Sequence, residues 1–414
     1  MIKLRTMDYP KLNNIEAFPV EYRGQNLICL RDPRNIKGNA LFVSPTTLFI
    51  IQHFDGKHSI VDIQKSYMER FRSILFRDDI IKLIKQLDES LLLQSEHYEG
   101  YQKRIQEEFD KSIFREPSHA GLSYPREREE LIKWLDSILE NVKELRPTDS
   151  EKGKITGLIS PHIDFRRGGR SYGLAYKELI DQTEADVFII FGTSHYAEVE
   201  NPFLLTRKIF KSPFGEVETD VDLIERLAKS CGWDLFEGEI AHITEHSIEF
   251  QVVFLQYLFG NRKQFKILPI LCNSFQRMIQ NGNSPEDDVR VSTFLKSVKE
   301  ITSTLGSKAF IIAGADLAHV GRKFGDLEPV NESTLRWIRE KDLLSLSFTE
   351  QINSDGFYRS VEEEKDRRKI CGLSPIYSLL STINAKKGKL IDYDQALEPD
   401  TGSVVSFASV GFYT

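Results

Sequence analysis

Two apolar runs, each followed by a histidine, form the most informative pattern in the sequence. The runs cover residues 155–160 and 187–191, and between them residues 172–180 carry apolar side chains at helical spacing. A glycine-rich segment at 166–170 is predicted to be the turn before that helix. This order of strand, helix and strand predicts a βαβ unit whose two strands run parallel.

Polar residues follow these strands at their carboxyl ends. His162 and His195 come just after the two runs, and a third buried run, at 309–313, is followed by Asp316 and His319. Open α/β sheets bind ligands at the carboxyl ends of parallel strands, so these side chains are expected at one rim. Imidazoles combined with one anion are a typical donor set for zinc, iron or copper. A single histidine there often only caps its strand, so the prediction of a metal site depends on convergence.

The anionic ligand is left open by this pattern, because Asp316, Glu249 and a cysteine all qualify. Cys371 precedes a helix predicted to start at residue 373. A helix N-terminus favours a thiolate, so we expect Cys371 to have a lowered pKa and to oxidise readily. The other cysteines lie in or beside apolar segments and are expected to be buried: Cys29, Cys231 and Cys272.

Three further residues are expected to bind substrate in the pocket. His119 lies in a loop rich in proline and glycine, and His246 and Glu249 lie one turn apart on a helix predicted to start at 244. The alternative for the last two is to cap that helix and satisfy buried backbone. The segment 166–170 either binds an anion, such as a carboxylate or phosphate, or is a solvated loop. The remaining histidines are expected at the surface: His53, His58, His97 and His242.

The N-terminal residues 1–96 are predicted to form a separate winged-helix-like module. Ser44 followed by Pro45 is a helix start, and further helices are expected from Ser59 and Asp78. Residues 91–93 are predicted to be a small wing strand. A charged helical linker follows at 97–113.

Residues 114–414 are predicted to form one α/β domain with a central mixed, largely parallel sheet flanked by helices. Beyond the βαβ unit, strands are expected at 265–271, 309–313, 389–394 and 403–412. Helices are expected at 126–145, 221–231, 244–258, 291–304, 332–345 and 373–384.

Composition and charge narrow the class of protein. Hydrophobic residues make up 40% and charged residues 28% of the 414, as in an ordinary soluble protein. The net charge of −7 and the equal numbers of acidic and basic residues over 1–110 argue against a nucleic-acid partner. No apolar run is long enough to cross a membrane, and the start lacks a signal-peptide core. Four cysteines do not make a disulfide framework, so a cytoplasmic location is expected.

A family resemblance follows from blocks of sequence in a fixed order. They are Ser-His-Ala-Gly at 118–121, Pro-His at 161–162, Thr-Ser-His at 193–195, Glu-His-Ser-Ile-Glu at 245–249, Ile-Leu-Pro-Ile-Leu at 267–271, Asp-Leu-Ala-His at 316–319 and Ile-Cys-Gly at 370–372. Together they resemble the Memo family over residues 114–414. At the N-terminus, Phe-Asp-Gly-Lys at 54–57 resembles PqqD-type domains, which hold peptide substrates for radical-SAM enzymes.

The resemblance implies a fold and a site. Memo proteins share the fold of class III extradiol dioxygenases, so His162, His195 and Cys371 would bind one metal ion, with cysteine in place of the dioxygenase glutamate. His319 would be the general acid/base, with Asp316 orienting or tuning it. A thiolate is softer than a carboxylate and favours copper or zinc, so the ion is expected to be iron(II) or copper, with zinc as a further candidate.

The function expected on these grounds is that of a metal-dependent redox enzyme of the class III dioxygenase type. Its implied partners are radical-SAM and AMMECR-type proteins, with a peptide as a candidate substrate. Two alternatives stay open. One is a catalytically inactive module that binds a peptide or protein segment in the same pocket, and the other is a protein that sequesters metal without turnover.

Overall fold

The computed structural model describes residues 7–22, 24–32, 40–144, 153–180, 184–260 and 262–414. The chain divides into two compact units. The first comprises Met1–Lys111 with Gly321–Pro329 and Glu398–Ser403, and the second comprises the remainder. The division after Lys111 falls inside the predicted linker. Among the described residues, no helix combines the length and the apolar character needed to cross a bilayer.

Among its described residues, the first unit contains a small antiparallel sheet followed in the chain by α-helices. The strands are β1 (Glu16–Tyr22), β2 (Gln25–Arg31) and β3 (Ala40–Val43), and the helices are α1 (Pro45–Ile51), α2 (Ile60–Phe71), α3 (Arg77–Glu89) and α4 (Glu96–Lys111). Ser44 and Ser59 cap α1 and α2 as predicted. The predicted wing strand at 91–93 is present only as an isolated antiparallel bridge between Leu93 and Leu12. Leu91 adopts a φ of 62°, which breaks an extended strand, and the sheet lies before the helices instead.

The second unit is the larger. Its strands are β4 (Phe114–Arg115), β5 (Ile155–Ser160), β6 (Val187–Thr193), β7 (Phe203–Leu205), β8 (Ile209–Ser212), β9 (Gly215–Val217), β10 (Lys266–Cys272), β11 (Ala309–Gly314), β12 (Asp316–Gly321), β13 (Lys387–Glu398) and β14 (Ser403–Tyr413). Its helices are α5 (Arg128–Asn141), α6 (Phe165–Lys177), α7 (Val221–Cys231), α8 (His246–Phe259), α9 (Gln276–Asn281), α10 (Val289–Leu305), α11 (Glu332–Glu350), α12 (Ser354–Glu362) and α13 (Leu373–Thr382).

The central sheet has the order β12-β14-β5-β11-β6-β10-β7, and β13 pairs with β14. Strands β5, β11, β6 and β10 are parallel, while β14 runs antiparallel to β5 and β7 runs antiparallel to β10. This confirms the predicted mixed, largely parallel sheet. The strands β5 and β6 of the βαβ unit are parallel, but β11 lies between them, with Gly314 opposite both Ser160 and Gly192.

Helices cover both faces of this sheet. Ile189 and Phe191 of β6 pack with α7, α10 and α13, whereas Phe188 and Ile190 pack with α5, α6 and α8. Successive side chains of a strand point to opposite faces, so β6 needs apolar residues at every position. This is why the sequence shows a continuous apolar run there.

Helix α6 begins earlier than predicted. Asp164 caps it by accepting the backbone N–H groups of Arg166 and Arg167, so the glycine-rich segment is helical rather than a turn. A Cβ added to Gly168 would lie 2.5 Å from Ile163, and one added to Gly173 would lie 3.0 Å from Ile138 of α5. The glycines therefore serve close packing of α6 against its neighbours.

Candidate metal centre

The structure brings His162, His195 and Cys371 together at the carboxyl rim of the parallel strands. His162 follows β5, His195 follows β6, and Cys371 precedes α13. One ligand atom from each residue lies within 4.8 Å of the others. Sγ of Cys371 lies 3.3 Å from Nε2 of His162. These are the three residues that the family resemblance implies as metal ligands.

The donor set fits a metal ion in spacing and in chemistry. A tetrahedral ion with ordinary bond lengths to sulfur and nitrogen holds the two donors about 3.6 Å apart. The measured separation of 3.3 Å between Cys371 and His162 is close to this value. Two imidazoles and one thiol supply nitrogen and sulfur, the donors that zinc, copper and iron use in proteins.

Hydrogen bonds orient both imidazoles. Nδ1 of His162 lies 2.9 Å from the carbonyl oxygen of Gly314, and Nδ1 of His195 lies 3.0 Å from Oε1 of Glu245. Each Nδ1 therefore carries the hydrogen, which leaves the lone pair on Nε2. Burial lowers the pKa of His162, so its imidazole is neutral at neutral pH, as metal binding requires.

Glu245 is a candidate site residue that the sequence patterns did not single out. It is almost completely buried, and it accepts the backbone N–H groups of His195, His246 and Ser247 in addition to the imidazole of His195. His195 and the backbone donors lower its pKa well below the ordinary value although burial acts in the opposite direction. The available signal was its place immediately before α8, where an acidic residue caps a helix.

Two further histidines extend the cluster. The ring of His246 stacks on His195 at 5.1 Å with an interplanar angle of 10°, and lies 5.3 Å from the ring of His162. The ring of His119 lies 5.1 Å from that of His246. His195, Glu245 and His246 also lie within 4.8 Å of one another. The Glu245 carboxylate already accepts four N–H groups. The set of His195, Glu245 and His246 is therefore better suited to orient the imidazoles than to hold another ion.

Glu249, the third residue expected to bind substrate, is held by several protein partners. It is buried and forms an ion pair with Arg115, and it accepts hydrogen bonds from the backbone N–H groups of Ser118 and His119 and from the hydroxyl of Tyr124. These contacts hold the loop that presents His119 to His246. Glu249 therefore positions His119, and both of its carboxylate oxygens accept hydrogen bonds.

Asp316 lies against His162. Its Oδ1 accepts the backbone N–H of His162 at 2.9 Å, and its Oδ2 lies 3.6 Å from Nε2 of the same residue. His319 lies three residues further along β12. Its Nδ1 lies 3.1 Å from the carbonyl oxygen of Leu317. The catalytic roles of Asp316 and His319 stay predictions.

The expectation of a lowered pKa for Cys371 is wrong for the ion-free protein. Burial of the thiol and the nearby negative charge of Asp316 raise its pKa well above the ordinary value. Gly372, not Cys371, occupies the capping position of α13. The favourable helix dipole is therefore outweighed by desolvation, and the free thiol is protonated at neutral pH.

The expectation that His242 is at the surface is also wrong. It lies in the short 3₁₀ helix Glu239–Ile243, only 1% exposed, with Nε2 3.2 Å from the carbonyl oxygen of Leu204. Burial lowers its pKa to about 3. His58 and His97 do lie at the surface, each 45% exposed. The three remaining cysteines are buried, as predicted.

Comparison with known proteins identifies relatives over nearly the whole chain. A family model described as Memo-like protein matches residues 115–411. A MEMO1 family protein of Aquifex aeolicus (strain VF5) is 29% identical over 408 residues, covering 96% of this chain and 99% of the relative. A MEMO1 family protein of Methanosarcina acetivorans is 29% identical over 301 residues, covering 72% of this chain and 98% of the relative.

A solved structure is also similar at low level. It is an uncharacterized protein from Escherichia coli K12, with a TM-score of 0.31 and 10% identity. The similarity covers 63% of this chain and 100% of that one.

Proposed function

The chain belongs to the Memo-like protein family, and from this we propose that its second unit is a metal-dependent redox enzyme with one ion held by His162, His195 and Cys371. The supporting observation is the convergence of one nitrogen from each histidine and the cysteine sulfur within 4.8 Å. The three residues come from distant parts of the sequence, and two of them stand at the carboxyl ends of parallel strands, where α/β sheets bind ligands.

The donor set bears on the choice of ion. A thiolate with two imidazoles is softer than the two histidines and one carboxylate of an iron(II) dioxygenase, and divalent affinities rise towards copper. We therefore propose copper or iron(II), with zinc as the redox-inactive alternative. When bound, such an ion would supply an open coordination position and, for copper or iron, a change of oxidation state.

The protein side chains have separate roles in this proposal. Glu245 fixes the tautomer of His195, and the carbonyl of Gly314 fixes that of His162. Burial lowers the pKa of His246 well below the ordinary value, so it is a neutral imidazole beside the ligands. His246 and His119 would form one wall of the substrate pocket. His319 is proposed to move protons to and from substrate, with Asp316 nearby.

The deciding experiment is anaerobic purification followed by elemental analysis and measurement of oxygen uptake. A stoichiometric redox-active metal together with oxygen consumption would support the enzyme. Stoichiometric metal with no turnover would favour metal sequestration. A metal-free protein that carries an extended peptide would contradict the proposal and favour a peptide-binding module.

A partnership with radical-SAM and AMMECR-type proteins is proposed from the family resemblance alone. Its test is co-purification of the full chain with each of these proteins, with the Cys371→Ser variant as a comparison. Capture of neither protein would remove this part of the proposal.

A further inference from the structure

The backbone just before Cys371 adopts a conformation that ordinary residues avoid. Residues 363–372, which we name the Cys371 loop, include Lys365, Asp366 and Lys369 with φ values of 54°, 51° and 54°. The left-handed region is disfavoured for residues with a Cβ, and such strain persists only when surrounding contacts enforce it. Three residues with positive φ within five positions therefore require strong contacts that hold the loop in this conformation.

Arg368 supplies these contacts and so anchors the loop. Its side chain is completely buried, and it forms ion pairs with Asp342 and Glu364. A third hydrogen bond runs from Nη2 to Oγ of Ser345 at 2.9 Å. A charged group in the interior is stable only with its partners in place, so these three contacts determine where the Cys371 loop lies.

The same network reaches β12. The second carboxylate oxygen of Asp342 accepts the hydroxyl of Ser406, and that hydroxyl oxygen accepts the backbone N–H of Ala318 at 2.9 Å. One buried carboxylate therefore holds the loop through Arg368 and the strand through Ser406.

Backbone hydrogen bonds then join the loop and the strand directly. The N–H of His319 donates to the carbonyl of Arg368 at 2.7 Å, and the N–H of Gly372 donates to the carbonyl of Asp316 at 3.1 Å. A Cβ added to Gly372 would lie 2.2 Å from the carbonyl oxygen of Asp316. The segment that carries Cys371 thus has no free space to shift along β12.

We propose that Arg368 is a positioning residue for the metal centre. Its ion pair with Asp342 fixes the Sγ atom of Cys371 opposite Nε2 of His162, and so sets the affinity of the site for a thiophilic divalent ion. This inference rests on the proposed ion site. Lysine cannot replace arginine here, because one ammonium group cannot reach Asp342, Glu364 and Ser345 in the planar geometry of a guanidinium.

The first test titrates the ion-free full chain with Co²⁺ under anaerobic conditions and follows the thiolate-to-cobalt charge-transfer absorption. Wild type is expected to show this band, and Cys371→Ser is expected to lack it. Arg368→Lys should bind cobalt about 10–100-fold more weakly and with a weaker band, the usual effect of losing a group that orients a ligand. The control Val298→Ala removes core volume from α10, which contains none of these residues, and should leave affinity and band unchanged.

The second test needs no metal. The ion-free proteins are treated with iodoacetamide, and modification at each cysteine is followed by mass spectrometry. Cys371 of Arg368→Lys should react at least several-fold faster than in wild type, because the strained loop relaxes once its anchor is weakened. Val298→Ala should react at the wild-type rate.

A wild-type alkylation rate or a wild-type cobalt affinity in Arg368→Lys would overturn the inference. Absence of the band from wild type would instead count against the ion site, and the alkylation rate would still decide the role of Arg368. If Arg368→Lys does not fold, Ser406→Ala takes its place. This variant removes the hydroxyl that joins Asp342 to β12. Its cobalt affinity and its Cys371 alkylation rate are judged by the same criteria.

Discussion

Nδ1 of His195 lies 3.0 Å from Oε1 of Glu245, and the same carboxylate accepts the backbone N–H of His195. One buried acid therefore fixes both the main chain and the ring of a candidate metal ligand. Carboxylates that hold a metal-binding imidazole in this way raise its basicity and fix its tautomer.

Glu245→Gln is expected to weaken metal binding about 10–100-fold without removing a ligand, because the neutral amide holds the imidazole less firmly. Competition with a chelator measures the affinity. Glu225→Gln, on the exposed side of α7, is the matched control and should bind metal like wild type. Equal affinities of the two variants would show that Glu245 only caps α8.

Cys371→Ser should abolish copper binding while the fold stays intact, because it removes the soft anionic donor. Cys371→Glu should shift the preference towards iron(II), since it restores two histidines and one carboxylate. The measurement is the metal content of wild type and both variants after identical anaerobic loading. If all three take up the same metal equally, Cys371 is not a ligand.

Glu249→Gln should lower the free energy of unfolding by about 3–5 kcal/mol, since it leaves the charge of Arg115 buried without its counter-ion. The control is Lys211→Ala, which breaks an exposed ion pair with Glu116 and should cost less than about 1 kcal/mol. Urea unfolding of each variant gives the values. A cost for Glu249→Gln as small as that of the control would contradict a supporting role for this ion pair.

Gly168→Ala should destabilise the second unit, because the new methyl group would lie 2.5 Å from Ile163, the residue after His162. Gly100→Ala on α4 meets no atom within 4 Å and should stabilise its helix by about 0.5–1 kcal/mol. Thermal unfolding measures both effects. Stabilisation by Gly168→Ala would mean that α6 can move away from Ile163 at no cost.

His242 makes the stability of the second unit sensitive to acid. Its pKa is about 3 in the folded protein and 6.5 ordinarily, so the unfolded chain binds the additional proton. Stability is therefore complete above pH 6.5 and falls as pH drops towards 3, by up to about 1.4 kcal/mol for each pH unit. His242→Gln should show a shallower decline in urea unfolding across this range. The same slope in both proteins would contradict the prediction.

The sheet could be predicted because its strands bury both faces. Continuous apolar runs at 155–160, 187–191 and 309–313 correspond to β5, β6 and β11. The place of β11 between the other two strands is set by contacts between distant residues and leaves no local pattern. The start of helix α6 was predicted too late in the chain, because glycines that pack closely against Ile138 resemble the glycines of a turn.

The candidate ligands were easier to predict than their surroundings. Histidines after strands are visible in sequence, and the order of the family's blocks supplied Cys371. The pKa of Cys371 and the burial of His242 depend on desolvation, which only the folded protein determines. The role of Arg368 could not be predicted, because this residue lies in a charged stretch that is typical of an exposed helix end.

On the ribosome, Ile159 of β5 is made long before Val410 of β14, the strand that pairs with it. Strand β11, which enters between β5 and β6, is also translated after both. Strands so distant in sequence pair slowly during folding. Until β11, Cys371 and β14 have been translated, His162 and His195 lack their final strand neighbours and the third candidate ligand. The candidate metal centre therefore assembles only after Cys371 and β14 have been translated.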